Sequence, residues 1–442
     1  GRTRKGAGLG FLNAITSNTY ASIENADHTE EKILTQPLTN YNIIVYDQPF
    51  LKNSYVSFVN TNVYYNQFGN MANVSGTDFK FADKKNKWAL IGLAAISLKF
   101  DSTNSSADPG HKYAFLVGKI SGNLKFNISN SQYSNTFNPN DLGYINNNNN
   151  MVNNATISYN IYKPFWKLLR WQSSLSFTQT YRYLPRVRTN TNLNATSVGT
   201  FKNYFTAFLS LYVQPTVQYD YYEARIDDRF LTRNAYWSLD PWISTDYRKK
   251  LAFDIKMGIS NSKGEFKDAY YWSFSPRIRV NDKLLIVPEF RHDKEWRDIG
   301  YVSSDTVIHM GQRDNRRIIN MLNLSYSFNK DIGISVKARH YWMNVNYNRF
   351  FKLKNDGNLT EEILENRYNK NFNAFNIDLI FKWYFAPGSN LSIVWKNAII
   401  NNDDLIESNY IKNLSNTMNS DQLNSFSIKL LYYLDYMYLR KK

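Results

Sequence analysis

The densest group of ionisable residues in this chain is the segment EFRHDKEWRD, which runs from Glu289 to Asp298. If the segment is a β-strand, successive side chains point to opposite faces of a sheet. One face then offers one imidazole and one carboxylate, from His292 and Asp298, which falls short of the ligand set of a zinc site. The other face carries four charges that can pair as a ladder: Arg291, Asp293, Glu295 and Arg297. The segment therefore predicts a structural charge network, with a ligand-binding or catalytic role as the alternative.

The residue types needed for nucleophilic catalysis are sparse. The chain has no cysteine, which excludes disulfides, thiolate metal ligands and cysteine nucleophiles. It has no G-x-S-x-G motif, and only His292 and His309 are expected close to carboxylates of neighbouring strands. We therefore expect no enzyme activity, no catalytic residue, no cofactor and no metal. A hydrolase that uses one of these two histidines is the alternative.

The chain is strongly basic, with 53 Lys and Arg against 37 Asp and Glu, so its formal net charge is +16. No zinc-finger spacing, RNA-recognition signature or basic helix accompanies this charge, and we expect no nucleic-acid partner. A patch of Arg313, Arg316 and Arg317 with Lys337 and Arg339 could attract an anion or lipopolysaccharide. Ordinary paired charge inside the fold is the preferred interpretation.

The elements that must position these residues are β-strands. In FNIDLIFKWYFAPGSNLSIVWKN, from Phe375 to Asn397, large apolar residues occupy every second position on both sides of a turn at Pro387 and Gly388. Asp378 and Lys382 fall on the opposite face, which predicts a hairpin with one apolar and one polar face. The same alternation recurs almost throughout the chain and predicts an all-β fold.

Connections between the predicted strands alternate in length, with tight turns such as Gln214–Thr216 and longer polar stretches such as 186–200 and 401–422. The best candidate helix, Leu359 to Tyr368, lies in such a stretch. This rhythm is typical of an up-and-down antiparallel barrel, and we predict a single domain over residues 1–442 with about 18 strands, 16 to 20 being acceptable. A TonB-dependent importer is not expected, because that class needs a 22-stranded barrel and a plug.

The apolar face is predicted to meet lipid, so that the barrel is transmembrane. Its strands are long enough to cross a bilayer, whereas the longest apolar run, Trp88 to Ile96, is too short for a membrane helix. Asp378 and Lys382 would then line a wet lumen or rim with the charge network. A soluble β-protein is the alternative. Five aromatic residues are predicted at the membrane interface: Trp383, Phe385, Trp395, Tyr436 and Tyr438.

Five segments carry a family resemblance: GRTRKGAGLGFLNAIT, PLTNYNIIVYDQPF, SYVSFVNTNV, PRIRVNDKLLIVPEFRHDKEWRDIGYV and LLYYLDYMYLRKK. They resemble the C-terminal domain of unknown function 5916 of Bacteroidota outer-membrane proteins. The resemblance implies a barrel in the bacterial outer membrane with its C-terminus in the periplasm. It also implies that Gly1 lies inside a longer protein, behind a carbohydrate-binding-like module.

The function expected from these observations is that of an outer-membrane pore or membrane anchor, linked to glycan binding or uptake. The first alternative is a non-conducting subunit of an assembly for secretion, protein insertion or nutrient uptake, and the second is the hydrolase. The expected partners are outer-membrane lipid and lipopolysaccharide, other envelope proteins, and glycans held by the upstream module.

Overall fold

The computed structural model describes residues 1–25, 27–66, 70–101, 104–264, 267–364 and 368–434. Over these residues the chain is almost entirely β-strand, so the predicted all-β class is confirmed. A single helix, α1 (Tyr410–Met418), is present in the described part. None of the helical structure described is long and apolar enough to cross a membrane.

Among the described residues, 21 strands belong to one large antiparallel sheet. This number exceeds the predicted limit of 20. One reason is the four-residue β22, which pairs with the end of β21 and gives no alternation signal of its own. With 21 strands, strand number no longer argues against a TonB-dependent importer.

The chain divides into two compact units. Unit 1 comprises Gly1–Ile161 and Gln172–Asn194. Its strands β4 to β10 pair in chain order, β1 adds to β4, and β2 with β3 forms a separate hairpin. The bounds are β1 (Gly8–Thr16), β2 (Thr19–Glu24), β3 (Glu30–Gln36), β4 (Thr39–Phe50), β5 (Ser54–Tyr65), β6 (Met71–Ala82), β7 (Trp88–Asp101), β8 (Asn104–Lys119), β9 (Leu124–Tyr133) and β10 (Asn150–Ile161). The unit boundaries fall within β11 (Leu168–Arg182) and β12 (Arg188–Phe201).

Unit 2 comprises Tyr162–Trp171 and Ala195–Lys442. Strand β13 pairs with β16, the strands from β16 to β21 pair in chain order, and β21 pairs with β23, β23 with β24 and β24 with β25. The bounds are β13 (Thr206–Gln214), β14 (Gln218–Asp220), β15 (Leu231–Arg233), β16 (Tyr236–Ser244), β17 (Leu251–Ser262), β18 (Asp268–Arg279), β19 (Leu284–Ser304), β20 (Ile308–Ser327), β21 (Ile332–Leu353), β22 (Leu359–Glu362), β23 (Lys370–Ala386), β24 (Ser389–Asp403) and β25 (Gln422–Leu431).

Directly opposed residues of antiparallel strands share a face of the sheet, so the residue pairs show what each face carries. Each unit has one apolar and one polar face. One row across unit 2 is wholly apolar and consists of Leu324, Val336, Leu379, Trp395 and Phe426. We call this side the apolar face and the side that carries Arg317, Lys337 and Asp378 the polar face. Unit 1 has a similar apolar row, in which Leu90, Val117 and Ile128 are 39%, 48% and 62% exposed.

Three sequence predictions about the connections are wrong. Residues 188–201 form strand β12 instead of a polar loop, because Thr and Val fit a pleated strand although few large apolar residues mark it. The predicted tight turn at Gln214–Thr216 opens a long connection, residues 215–235, which contains the hairpin β14–β15. The predicted helix at Leu359–Tyr368 begins as strand β22, and residues 365–367 lie outside the described residues.

The helix forms instead within the predicted 401–422 stretch. The side chain of Asn409 accepts a hydrogen bond from the backbone N–H of Lys412, which caps the first turn of α1. The buried residues Asn413 and Thr417 are four positions apart and therefore share one stripe of the helix. Its apolar residues, Tyr410, Ile411, Leu414 and Met418, recur at helical spacing over only nine residues, which is too short a stretch for the sequence pattern to reveal the helix.

Candidate functional site

A ladder of ion pairs runs along the polar face of β19 and β20 and reaches the 215–235 connection. It alternates cation and anion through ten side chains: Arg291, Asp293, Arg317, Glu295, Lys267, Asp298, Arg313, Glu223, Arg233 and Asp220. The shortest links join Arg291 Nη2 to Asp293 Oδ1 at 2.7 Å, Arg233 Nε to Asp220 Oδ2 at 2.8 Å and Arg313 Nη2 to Asp298 Oδ2 at 2.9 Å. Five positive and five negative charges cancel, so the ladder as a whole is neutral.

Two carboxylates of the ladder are buried. The residues Asp293 and Asp298 are each 5% exposed. A carboxylate removed from water must be paired and hydrogen-bonded to remain charged. Asp293 lies between Arg291 and Arg317, and Asp298 lies between Arg313 and Lys267. The paired charges therefore fix the ends of β19 and β20 relative to each other.

A β-bulge decides which side chains join the ladder. The pairing of β19 with β20 shifts register between Glu295 and Asp298, and Arg297 has a left-handed φ of 57°. The extra residue moves Asp298 onto the polar face, where the sequence prediction had placed Arg297. Arg297 instead pairs with Asp268, and its backbone N–H donates to Asp314 Oδ1 at 3.0 Å. The structure thus brings Arg291, Asp293 and Glu295 together and excludes Arg297.

The 215–235 connection is fastened to the ends of β19 to β21. Glu223 Oε1 accepts from the backbone N–H of Tyr301 at 2.8 Å, and Arg229 Nη2 donates to the carbonyl of Leu353 at 2.8 Å. Below these bonds lies an apolar cluster of Ala224, Leu231, Ile299, Ile308, Met310, Phe351 and Leu353. Ala224 and Leu231 are fully buried in it. The connection is therefore a packed part of unit 2.

A cavity of about 650 Å³ lies beside the ladder. Its wall includes Lys267, Glu295, Asp298 and Arg313 from the ladder. Tyrosine and amide side chains complete it, among them Tyr212, Gln214, Tyr236 and Asn315. Charges of both signs and many hydrogen-bonding groups suit water or a neutral polar solute. Nowhere in the described part of the chain do three His, Asp or Glu residues come close enough to hold a metal ion.

The predicted basic patch is divided between the two faces by strand alternation. Arg313 and Arg317 belong to the ladder on the polar face. Arg316 lies on the apolar face, opposite Lys294 of β19. Sequence reasoning missed the ladder residues Lys267, Arg233, Glu223 and Asp220, which come from two connections that no local pattern places beside β19.

The hairpin of β23 and β24 lies where the alternation predicted it, with a turn at Pro387 and Gly388 between the strands. Gly388 has a φ of +73°, which its lack of a Cβ permits. Asp378 lies on the polar face opposite Lys337 and Lys396, and Lys382 is exposed with its Nζ 5.0 Å from the ring centroid of Tyr384.

The predicted interface aromatics occupy the apolar face of the same hairpin. The ring centroids of Trp383 and Phe385 are 5.6 Å apart next to the turn. Trp395 lies opposite Leu379, which is four residues farther from the turn than Trp383, and its ring stacks on that of Phe426 with the centroids 6.3 Å apart. Tyr436 and Tyr438 lie outside the described residues.

Helix α1 packs against the apolar face through polar contacts. Asn413 is 1% exposed; its Oδ1 accepts from the amides of Asn371 and Asn373 at 3.0 and 3.1 Å, and its Nδ2 donates to Asn373 Oδ1 at 2.6 Å. The hydroxyl of Tyr410 lies 3.0 Å from His340 Nδ1 and accepts from the amide of Asn320 at 2.6 Å. The contacts satisfy polar groups that would otherwise stand on this face.

His309, at the start of β20, forms ion pairs that are separate from the ladder. His309 Nδ1 lies 2.6 Å from Glu362 Oε1, and its Nε2 lies 3.4 Å from Asp305. The hydrogen bond to Glu362 raises the pKa of His309 above its ordinary value of 6.5. The sequence predicts carboxylates close to His309; of the two found there, Glu362 links the end of β20 to β22, and Asp305 lies in the connection that precedes β20.

The fold and the site together define an all-β protein with a neutral ion-pair ladder on the polar face of a large antiparallel sheet. The chain belongs to the family described as Domain of unknown function (DUF5916), whose model matches residues 1–442. The predicted family membership is therefore confirmed.

Among solved structures, the chain is similar to the outer membrane transporter YddB from Escherichia coli, with 11% sequence identity and a TM-score of 0.45. The match covers 97% of this chain and 74% of that one, and at this level of similarity it carries no functional information. None of the curated proteins matches the chain.

Proposed function

We propose that this protein is a β-barrel of the bacterial outer membrane that acts as a pore or a membrane anchor. The observation that carries the proposal is the contrast between the two faces of the sheet. Large apolar side chains stay exposed on one face, such as Phe115 and Ile128 in unit 1 and Phe290 in unit 2, while charged residues pair on the other. Exposing such a surface to water opposes the hydrophobic effect, whereas lipid satisfies it.

The lengths of the strands support the same proposal. Most strands of the sheet have 9 to 17 residues, as a tilted crossing of a bilayer requires, and β19 to β21 have 20 to 22. The additional length of β19 to β21 carries the ladder and the apolar cluster. We propose that these ends project beyond the lipid and that the short turns, such as the one at Gly388, face the periplasm together with the C-terminus.

A non-conducting role is the second candidate function. It is favoured by the 215–235 connection, which lines the cavity beside the ladder with Asp220 and Arg233 and is held in place by the packing of Leu231. We propose no catalytic role. The proposed partners are outer-membrane lipid and lipopolysaccharide. A link to other envelope proteins, or to glycans through an upstream module, rests on the family resemblance.

Conductance of the purified protein in planar bilayers tests these proposals. We expect the unaltered protein to insert and to conduct weakly, and Leu231→Asp to conduct more strongly, because a charge in the apolar cluster releases the connection. The matched control is Ile226→Ser in the same connection, where the side chain is 41% exposed. Heat-modifiable gel migration checks that each variant is folded.

Each outcome decides one proposal. Failure of the folded protein to insert into bilayers, or its absence from the outer-membrane fraction of cells, refutes the barrel proposal. Large conductance of the unaltered protein, unchanged in Leu231→Asp, refutes the non-conducting role and favours a pore.

A further inference from the structure

Two cations face each other on the apolar face of unit 2. Lys294 of β19 lies directly opposite Arg316 of β20. Like charges at opposed positions of a sheet repel. In the part of the chain that the structure describes, no carboxylate lies within 4 Å of either side chain. This pair differs in that respect from the ladder on the other face, where every charge has a counter-charge.

Aromatic rings surround the pair. Lys294 Nζ lies 4.9 Å from the ring centroid of Trp296, and Arg316 Cζ lies 5.5 Å from that of Trp342. Tyr410 of α1 packs on Trp342 at 5.7 Å. The rings hold the cations near the sheet by cation–π attraction but do not neutralise them. An anion between the two cations would remove the repulsion.

The pair also lies at a defined distance from the turn that precedes β19. On the apolar face of β19, ten residues separate Leu284, next to the turn, from Lys294. At ~3.3 Å per residue this is about 33 Å along the strand, or about 25 Å along the normal at a tilt of ~40°. An outward apolar band in a membrane barrel is about 25 Å tall. Lys294 and Arg316 therefore fall where the band ends.

We infer that Lys294 and Arg316 bind the phosphate of an anionic lipid headgroup, an inference that rests on the proposed membrane location. The guanidinium can donate two parallel hydrogen bonds to phosphate oxygens, and the ammonium adds a point charge. Next to the pair, toward the turns, Phe290 and Leu322 are 45% and 39% exposed on the same face. They offer an apolar surface to the acyl chains, which a free phosphate would not use.

Native mass spectrometry of the folded protein in detergent, titrated with lipid A, tests the inference. We expect Lys294→Gln with Arg316→Gln to weaken lipid A binding by about 30-fold, the factor for two charges worth ~1 kcal/mol each. The matched control is Lys283→Gln with Lys330→Gln, which removes two exposed charges from the turns at the other end of these strands. The control should retain binding within about twofold. Heat-modifiable migration of both variants checks the fold.

Two results would overturn the inference while leaving the barrel proposal intact. One is equal lipid A affinity of both double variants in a protein that inserts into vesicles. The other is displacement of lipid A by an excess of inorganic phosphate, which would show that the site selects free phosphate. If the unaltered protein fails to insert into vesicles at all, the barrel proposal fails and the inference fails with it.

Discussion

Replacing Gly300 by alanine should disrupt the ladder at its most crowded point. A Cβ built at Gly300 would lie 2.3 Å from Cζ of Arg313. Non-bonded carbon atoms prefer separations of about 3.5–4.0 Å, so the guanidinium must move by more than ~1 Å. That movement breaks its 2.9 Å contacts with Asp298, whose side chain is 8% exposed.

The cost follows from the partners that Asp298 keeps. A hydrogen bond to a charged group contributes about 1.5–3 kcal/mol, and leaving a buried carboxylate less well paired adds a penalty. Lys267, whose Nζ lies 3.8 Å from Asp298 Oδ1, still neutralises part of the charge of Asp298. We therefore expect Gly300→Ala to lower the free energy of unfolding by about 2–3 kcal/mol. The measurement is reversible urea unfolding in lipid vesicles, followed by tryptophan fluorescence.

Two comparisons make this prediction specific. Gly333→Ala in β21 places its Cβ 3.4 Å from the nearest atom, and we expect a change below about 0.5 kcal/mol. In an Arg313→Ala background the overlap disappears, so Gly300→Ala should then cost almost nothing. An equal cost of Gly300→Ala in both backgrounds would show that the glycine is needed for the backbone and not for Arg313.

Two further predictions concern α1 and the end of β20. Asn413→Leu removes the amide that hydrogen-bonds to the sheet amides below α1, and we expect it to destabilise the docked helix by about 2–4 kcal/mol. Hydrogen exchange and limited proteolysis over residues 410–418 should both increase. The control Ser415→Ala, at an exposed position, should change neither. Because the pKa of His309 is raised, its pair with Glu362 stabilises the fold fully below pH 6.5 and loses this contribution as the pH rises through the folded pKa. Exchange of the amides over 359–362 should therefore accelerate with pH beyond its intrinsic rate above pH 6.5, and the extra acceleration should vanish in His309→Gln; if it persists in that variant, the histidine is not its cause.

The sequence predicted those parts of the fold in which one local pattern decides the outcome. The hairpin of β23 and β24 combines strict alternation with a Pro387–Gly388 turn, and no tertiary contact is needed to infer it. The charged strand from Glu289 was identifiable for the same reason. Strand β12 was missed because the alternation signal depends on large apolar residues, and a strand rich in Asn, Thr and Ser lacks them.

The ladder could not be predicted in full because two non-local events assemble it. The bulge at Arg297 exchanges the faces of Arg297 and Asp298, and its position depends on how β19 pairs with β20. The packing of Leu231 in the apolar cluster then fixes the 215–235 connection, so that Glu223 reaches Arg313 and Arg233 pairs with Glu223. No spacing in the sequence specifies either event.

Helix α1 supplies an independent argument for the environment of the apolar face. It buries Asn413 and Thr417 against the sheet, while Ile411 is 71% exposed and Leu405, just before the helix, is 70% exposed. A surface helix in water buries its apolar stripe against the core, whereas in α1 the stripe of Tyr410, Leu414 and Met418 is only partly buried. If the surroundings offer no hydrogen-bonding partners, burying the polar stripe against the amides of the sheet is favourable. The exposure of Ile411 is favourable only if the same surroundings are apolar. The helix lies on the same face as the Lys294–Arg316 pair, so lipid chains below and headgroups beside it would account for both features.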